Sequence, residues 1–194
     1  MGNPLPLIPL AERDTCSGCA GADMKPPTMQ QGHSNDFQSP AWVLKPIISY
    51  LKDIIWECAC GNGNLATELH DKYDFRVWDT DILTGTDFLD TDPEDYISCI
   101  VTNPPYTLKD EFLEHCYDLG LPFALLLPLT ALEGIKRQAL YRKHGLELIL
   151  LPRRVKFETP SGEGTGSWFA AAWFTHGFNI GKELTFWIDE LPLI

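Results

Sequence analysis

An apolar run, Ile54-Ile55-Trp56-Glu57-Cys58-Ala59-Cys60, stops on Gly61-Asn62-Gly63, and Leu65, Leu69 and Tyr73 then recur at helical spacing. This succession of strand, glycine turn and helix constrains the fold more than any other feature, because a strand that feeds straight into a helix is the opening of a parallel crossover. The pattern continues. Phe75-Arg76-Val77-Trp78 ends in Asp79-Thr80-Asp81, Ile97 to Thr102 ends in Asn103-Pro104-Pro105-Tyr106, and Phe123 to Leu127, Leu146 to Leu151 and Ser167 to Thr175 supply three further runs. Nearly uninterrupted apolar strands alternating with helices predict an α/β fold with a mostly parallel sheet covered on both faces. Upstream, Ser39-Pro40 followed by Val43, Ile47, Tyr50 and Ile54 predicts a helix that begins with Ser39 as cap and reaches about Leu51.

At 194 residues the chain suits one domain with a core large enough to fold unaided, and 44% hydrophobic with 22% charged residues describes a globule. Residues 1–33 hold five of the fifteen prolines and no apolar period, which predicts a flexible N-terminal segment ahead of one domain at 34–194. The longest charge-free apolar stretch, Leu119 to Leu132, is interrupted by two prolines and falls short of the roughly 20 residues a bilayer needs, so no membrane span is expected. Leu5 to Leu10 lacks a preceding basic residue, a poor secretory signal, and the expected location is the cytoplasm. Six unevenly spaced cysteines predict free thiols. Cys16-Ser-Gly-Cys19 has the spacing of half a zinc site, with His33 as the nearest third ligand, but a structural site wants four; no metal is expected there, nor from the five scattered histidines.

In such sheets ligands sit beyond the carboxyl ends of the strands, and three of those ends carry unusual residues. Gly61-Asn62-Gly63-Asn64-Leu65-Ala66 fits the spacing in which glycines make the tight turn and let a ligand approach the backbone, while a small residue lets the helix pack closely. Asp81, 20 residues beyond Gly61, stands where an acid accepts hydrogen bonds from ribose hydroxyls. Glu57, beside the glycine turn, would repel phosphates and attract an ammonium group, which favours S-adenosylmethionine over a dinucleotide. Asp87-Phe88 pairs an acceptor with an aromatic face, suited to the amino group and plane of an adenine; the same two residues also fit a helix cap and a core ring. At the third strand end, the prolines of Asn103-Pro104-Pro105-Tyr106 stiffen the backbone, so that the Asn103 side chain and the Pro104 carbonyl become neighbouring acceptors. Two acceptors on the hydrogens of a planar amino group favour its pyramidal form and free the lone pair for attack on a methyl. Tyr106 would stack on the target base.

In this order and spacing, Glu57 to Gly63, Asp81, Asp87-Phe88 and Asn103 to Tyr106 resemble the class I S-adenosylmethionine-dependent methyltransferases, specifically the adenine-N6 DNA methyltransferases of bacteria and phages with an Asn-Pro-Pro-Tyr motif. The likeness runs from about Asp36 to Phe178. It implies a Rossmann-like sheet of seven strands whose last is antiparallel, with Ser167 to Thr175 as that strand. It also implies that residues 34–194 form the methyltransferase domain, and that Phe37, Ser39 and Pro40 hold the methionine end of the cofactor beside Glu57, Gly61, Gly63, Asp81, Asp87 and Phe88. The implied activity is methylation of adenine N6 in DNA, with Asn103, Pro104, Pro105 and Tyr106 as the catalytic turn.

Only 88 residues follow Tyr106, most of them needed by the sheet, so no target-recognition domain fits there. Selection of a target falls to a short loop, Glu158 to Gly166, to loose specificity, or to a protein partner. Overall the chain carries minus 12, yet Lys136 to Lys156 holds seven basic residues against Glu147, so that segment carries plus 6 and the rest minus 18. Such concentration suits a phosphate-binding edge, with Arg153, Arg154 and Lys156 as candidate nucleic-acid contacts, and equally suits a solvated surface. RNA adenine or the amide of a protein glutamine is the alternative acceptor, since either presents a planar amino group. A non-catalytic cofactor-binding module is the alternative of another class.

Overall fold

Each of the six apolar runs becomes a strand in the structure, a computed structural model that describes residues 37–159, 162–163, 167, 169–181 and 185–186. β1 (Ile54–Glu57) leads into α1 (Asn64–Asp71) and β2 (Arg76–Asp79); β3 (Cys99–Thr102) into α2 (Lys109–Leu119) and β4 (Phe123–Pro128); α3 (Ile135–His144) into β5 (Glu147–Leu150). A short hairpin, β6 (Glu158–Thr159) and β7 (Gly162–Glu163), precedes β8 (Ala171–His176). The sheet runs β2-β1-β3-β4-β8-β5, with β8 antiparallel to both neighbours and the first four strands mutually parallel.

Six strands form the body of this mixed sheet, and a seventh exists only as a two-residue edge, β9 (Thr185–Phe186), parallel to β5. The family likeness had implied that the antiparallel strand comes last in chain order; here β9 follows it. Beyond β2, residues 80–98 fold into two 3-10 turns, Ile82–Thr84 and Phe88–Asp90, so no strand pairs with the outer edge of β2 among the described residues.

Side chains alternate across the sheet as a strand period of two requires. Ile55, Val101, Leu126 and Trp173 face one side, where Val43, Leu44, Leu65 and Leu69 cover them. Trp56, Ile100, Leu125 and Phe174 face the other, under Phe112, Leu113 and Tyr117 of α2. Both faces are dry, which is why β3 and β4 tolerate no exposed residue. The predicted helix to Leu51 is instead a pair of 3-10 turns, Ala41–Leu44 and Ile48–Tyr50. Pro46 lacks the N–H an α-helix would need at that point and crowds the turn before it. Ser39 is not the cap either: Pro40 occupies that position, and the Ser39 hydroxyl is buried without a hydrogen-bond partner among the described residues. The indole of Trp173 donates to the Val43 carbonyl at 2.7 Å and pins these turns to the sheet.

Residues 1–33, with Cys16, Cys19 and His33, lie outside the described residues, as does most of the tip of the Glu158 to Gly166 loop. Cys58, Cys60, Cys99 and Cys116 are free thiols. Among the described residues no helix is long and apolar enough to cross a membrane, and no group of three His, Cys, Asp or Glu side chains is placed to hold a metal.

Candidate active site

The carboxyl ends of β1, β2 and β3 surround a cleft of about 450 Å³, within the size range of small-molecule sites. The glycine turn forms its floor. Gly61 and Gly63 adopt φ of +53° and +80°, the left-handed region closed to most side chains. At Gly61 space is also short: a Cβ there would meet the Gln38 amide at 2.5 Å. The turn is held from outside the loop, with the Asp81 carboxylate accepting from Gly61 N at 2.9 Å and Gln38 Oε1 accepting from Asn62 N at 3.0 Å. The second Asp81 oxygen accepts from Leu83 N at 2.9 Å. Each carboxylate oxygen offers two lone pairs, so Asp81, which lines the cleft, keeps acceptor capacity for a ligand hydroxyl.

Asp87 caps the turn Phe88–Asp90 by accepting from Leu89 N at 3.0 Å, and Phe88 is buried between Trp56 and Phe112. The cap and core roles are thus real, and both residues nonetheless line the cleft. Phe37 and Ser39 line it too; Pro40 and Gly63 do not.

Glu57 sits behind the lining, at the end of β1 and almost wholly buried. Burial pushes its carboxyl up to about 8, reinforced by the negative charges of Asp81 and Asp79. Thr102 and the Ala59 backbone, close by, draw it part of the way back down, but neither meets hydrogen-bond geometry with the carboxyl oxygens, which have no such partner among the described residues.

Asn103 follows β3 directly and lines the opposite wall. Its Nδ2 donates to the Phe37 carbonyl at 2.9 Å, a bond that only the amino end of the amide can make, so the orientation is fixed. The other end, Oδ1, is buried with no partner among the described residues. Pro105 lines the cleft beside it, while Pro104 is buried behind. Tyr106 does not line the cleft. Its ring packs edge-on to Phe169 at 5.5 Å and Phe157 at 6.2 Å, tilts against Phe37 at 6.4 Å, and its buried hydroxyl is held neutral by the surrounding apolar atoms.

The basic segment reaches the same wall. Arg154 and Lys156 are exposed and alternate with the buried Val155 and Phe157, so that Phe157 supports Tyr106 while the cations face solvent. Arg153 lies over the Trp42 ring at 4.7 Å. Glu158 and Gln38 exchange backbone bonds of 2.9 and 3.0 Å, which ties the segment to Phe37 and the glycine turn. Gln38, Leu108, Ile82 and Leu83 line the cleft, and Phe157 packs behind it against Phe37 and Tyr106, and the sequence had not singled them out. The alternation Val155, Phe157 was the visible signal for Phe157; the others gave none.

No family model matches the sequence, and no curated protein matches it. Among the solved structures that share the fold are the following two. The type I restriction-modification methyltransferase subunit from Streptococcus thermophilus superposes with a TM-score of 0.53 at 16% identity over 74% of this chain and 45% of that one. The modification subunit assigned to a type I restriction enzyme from Vibrio vulnificus YJ016 gives 0.50 at 16% identity over 75% and 45%. The chain thus spans a little under half the length of those proteins and shares the fold of the part it covers.

Proposed function

We propose that this protein is an S-adenosylmethionine-dependent methyltransferase that acts on the exocyclic N6 of adenine in DNA. The observation that carries the reading is Asn103: it lines the cleft opposite Gly61, its amino end is tied to Phe37, and its buried carbonyl oxygen has no partner among the described residues. A buried acceptor without a donor costs about 1 to 3 kcal/mol, and a ligand amino group arriving there recovers it. The likeness to methyltransferase subunits of restriction-modification systems supports both the reaction and DNA as acceptor.

The residues fit the cofactor. The Ser39 hydroxyl, unpartnered among the described residues, lines the cleft and would hold the methionine moiety, with Glu57 behind the lining, and Asp81 retains lone pairs for a ribose. Asp87 and Phe88 would hold the adenine of the cofactor, and Gly61 would allow its close approach to the backbone. When bound, the cofactor supplies an electrophilic methyl on a sulfonium. Asn103 Oδ1 and the Pro104 carbonyl accept the two amino hydrogens of the target base, Pro105 stiffens the turn, and Phe37, which lines the cleft with Tyr106 packed behind it, offers the face for stacking. Arg153, Arg154 and Lys156 contact phosphates.

The test incubates the purified protein with methyl-tritiated S-adenosylmethionine and, separately, unmethylated DNA, RNA and protein extract, then digests the labelled product. Label in N6-methyladenine from DNA is the expected result. Label in RNA or in glutamine transfers the reading to the other acceptors, and no label in any fraction favours a non-catalytic module.

A further inference from the structure

Ile135, the first residue of α3, is 91% exposed, and Leu108 and Leu132 nearby are 38% and 37% exposed. A single exposed apolar residue is ordinary. These three stand on the two loops that leave the carboxyl ends of β3 and β4, adjacent parallel strands, so they share the end of the sheet where the cleft opens. Leu108 itself lines the cleft. The loops are tied together: Arg137 donates to Asp110 at 2.6 Å, and Asp110 lies in the first turn of α2, two residues past Leu108.

The turn that presents Ile135 is held unusually firmly. Arg137 donates to the Ala131 and Glu133 carbonyls at 2.9 and 2.8 Å, Gln138 to Leu132 at 3.4 Å, and the Tyr141 hydroxyl to Ala131 at 3.0 Å. Three consecutive carbonyls ahead of the helix are thus bonded by side chains of the helix. Gly134 makes this possible, with φ of +101° and a Cβ position that would lie 2.8 Å from the Arg137 guanidinium. Beyond the wedge, Lys136, Arg142 and Lys143 are exposed on α3, and the chain carries no acid from there until Glu147.

We propose that Ile135 is an apolar wedge that inserts into a DNA base stack and holds a duplex open while the target adenine turns out into the cleft. This rests on the DNA reading above. A rigidly mounted aliphatic side chain with Glu133 on one side and Lys136, Arg142 and Lys143 following it along the helix fits duplex unstacking: the side chain replaces the stacking of the departed base, and the cations of the helix hold the phosphates.

The experiment compares the wild-type chain with Ile135→Ala and Ile135→Leu on three substrates sharing one adenine: a single strand, the matched duplex, and a duplex with an abasic site opposite that adenine. For Ile135→Ala the expected result is a loss of tenfold or more in kcat/KM on the matched duplex, a change under twofold on the single strand, and recovery of most of the loss on the abasic duplex. Ile135→Leu should keep the duplex rate. Equal losses on single strand and duplex, or an unchanged ratio as a protein-docking ridge would give, overturn the wedge. So does a wild-type enzyme active on single strands alone. A wild-type chain silent on every DNA overturns the DNA reading, and the wedge with it.

Discussion

The two walls of the cleft treat their polar groups in opposite ways. On the glycine side every group that shapes the loop is used within the protein: both Asp81 oxygens accept backbone N–H groups, and the Gln38 carbonyl accepts another. On the side of Asn103 one polar atom of a lining residue is left over, Asn103 Oδ1, buried and unpartnered among the described residues. Buried polar atoms are nearly always paired in folded proteins, so an unpaired acceptor on a residue that lines the cleft is an exception, and the proposed function accounts for it. On that reading the glycine side is a frame and Asn103 the receptor.

Breaking the receptor should therefore abolish chemistry without harming the fold. Asn103→Ala removes the unpaired acceptor and one bond to Phe37. We expect turnover to fall by about 10² to 10³, the range seen when one preorganised polar group is deleted from an active site, while unfolding in urea shifts by no more than about 1 kcal/mol and cofactor binding persists. Kinetics and calorimetry on the same sample check it; turnover near the wild-type value would mean that Asn103 is not the acceptor.

Glu57 belongs with the unpaired groups but stands behind the wall. Its carboxyl holds its proton up to about 8 in the folded chain and up to about 4.5 when unfolded. Its contribution to stability is thus complete below about 4.5 and is lost as pH rises towards 8. By linkage the wild type should lose on the order of a few kcal/mol across that window from this group alone. Glu57→Gln cannot ionise and should lack that slope, which denaturant titrations at pH 4.5, 6 and 8 would read independently of any constant offset. Parallel curves for the two proteins would show that the carboxyl is paired after all.

In the frame, the sharpest test is Gly61→Ala. The left-handed φ and the Gln38 side chain at 2.5 Å together should cost about 1 to 3 kcal/mol of stability, with loss of cofactor affinity as the loop shifts. Gln38→Ala, which frees the space but removes the bond to Asn62, should relieve part of that penalty in the double variant. Strict additivity of the two substitutions in urea melts would contradict the proposed clash.

What the sequence made legible follows the same division. Strand, turn and helix were readable wherever a dry strand ended on glycine, because an apolar run and a punctuating residue are local signals. Asp81 and Asn103 were readable because they sit at strand ends. The hydrogen bond from Asn103 to Phe37 was not, since it joins residues 66 apart. Pro46 should have argued against the helix to Leu51, but the apolar spacing of Val43, Ile47 and Tyr50 concealed it: 3-10 turns bury the same side chains. The seventh strand came from the family likeness rather than from residues; it is present only as the two-residue β9 after the antiparallel strand, and the stretch 80–98, rich in turn-forming aspartates, adds none beside β2.

The smallest expected effect lies outside both walls, at the exposed cations. Arg154 and Lys156 alternate with residues of the core, and Arg153 rests on Trp42, so their charges face solvent from a fixed backbone. Replacing Arg153 and Arg154 together by alanine should leave melting nearly unchanged, because exposed cations add little to stability. DNA binding should weaken several-fold at low salt, and the slope of log affinity against log salt should drop by about two, one for each phosphate that is no longer neutralised. That slope separates the two readings of the basic segment: a merely solvated surface would leave it where the wild type has it, and the nucleic-acid edge would then have to be sought along α3, where Lys136, Arg142 and Lys143 remain exposed.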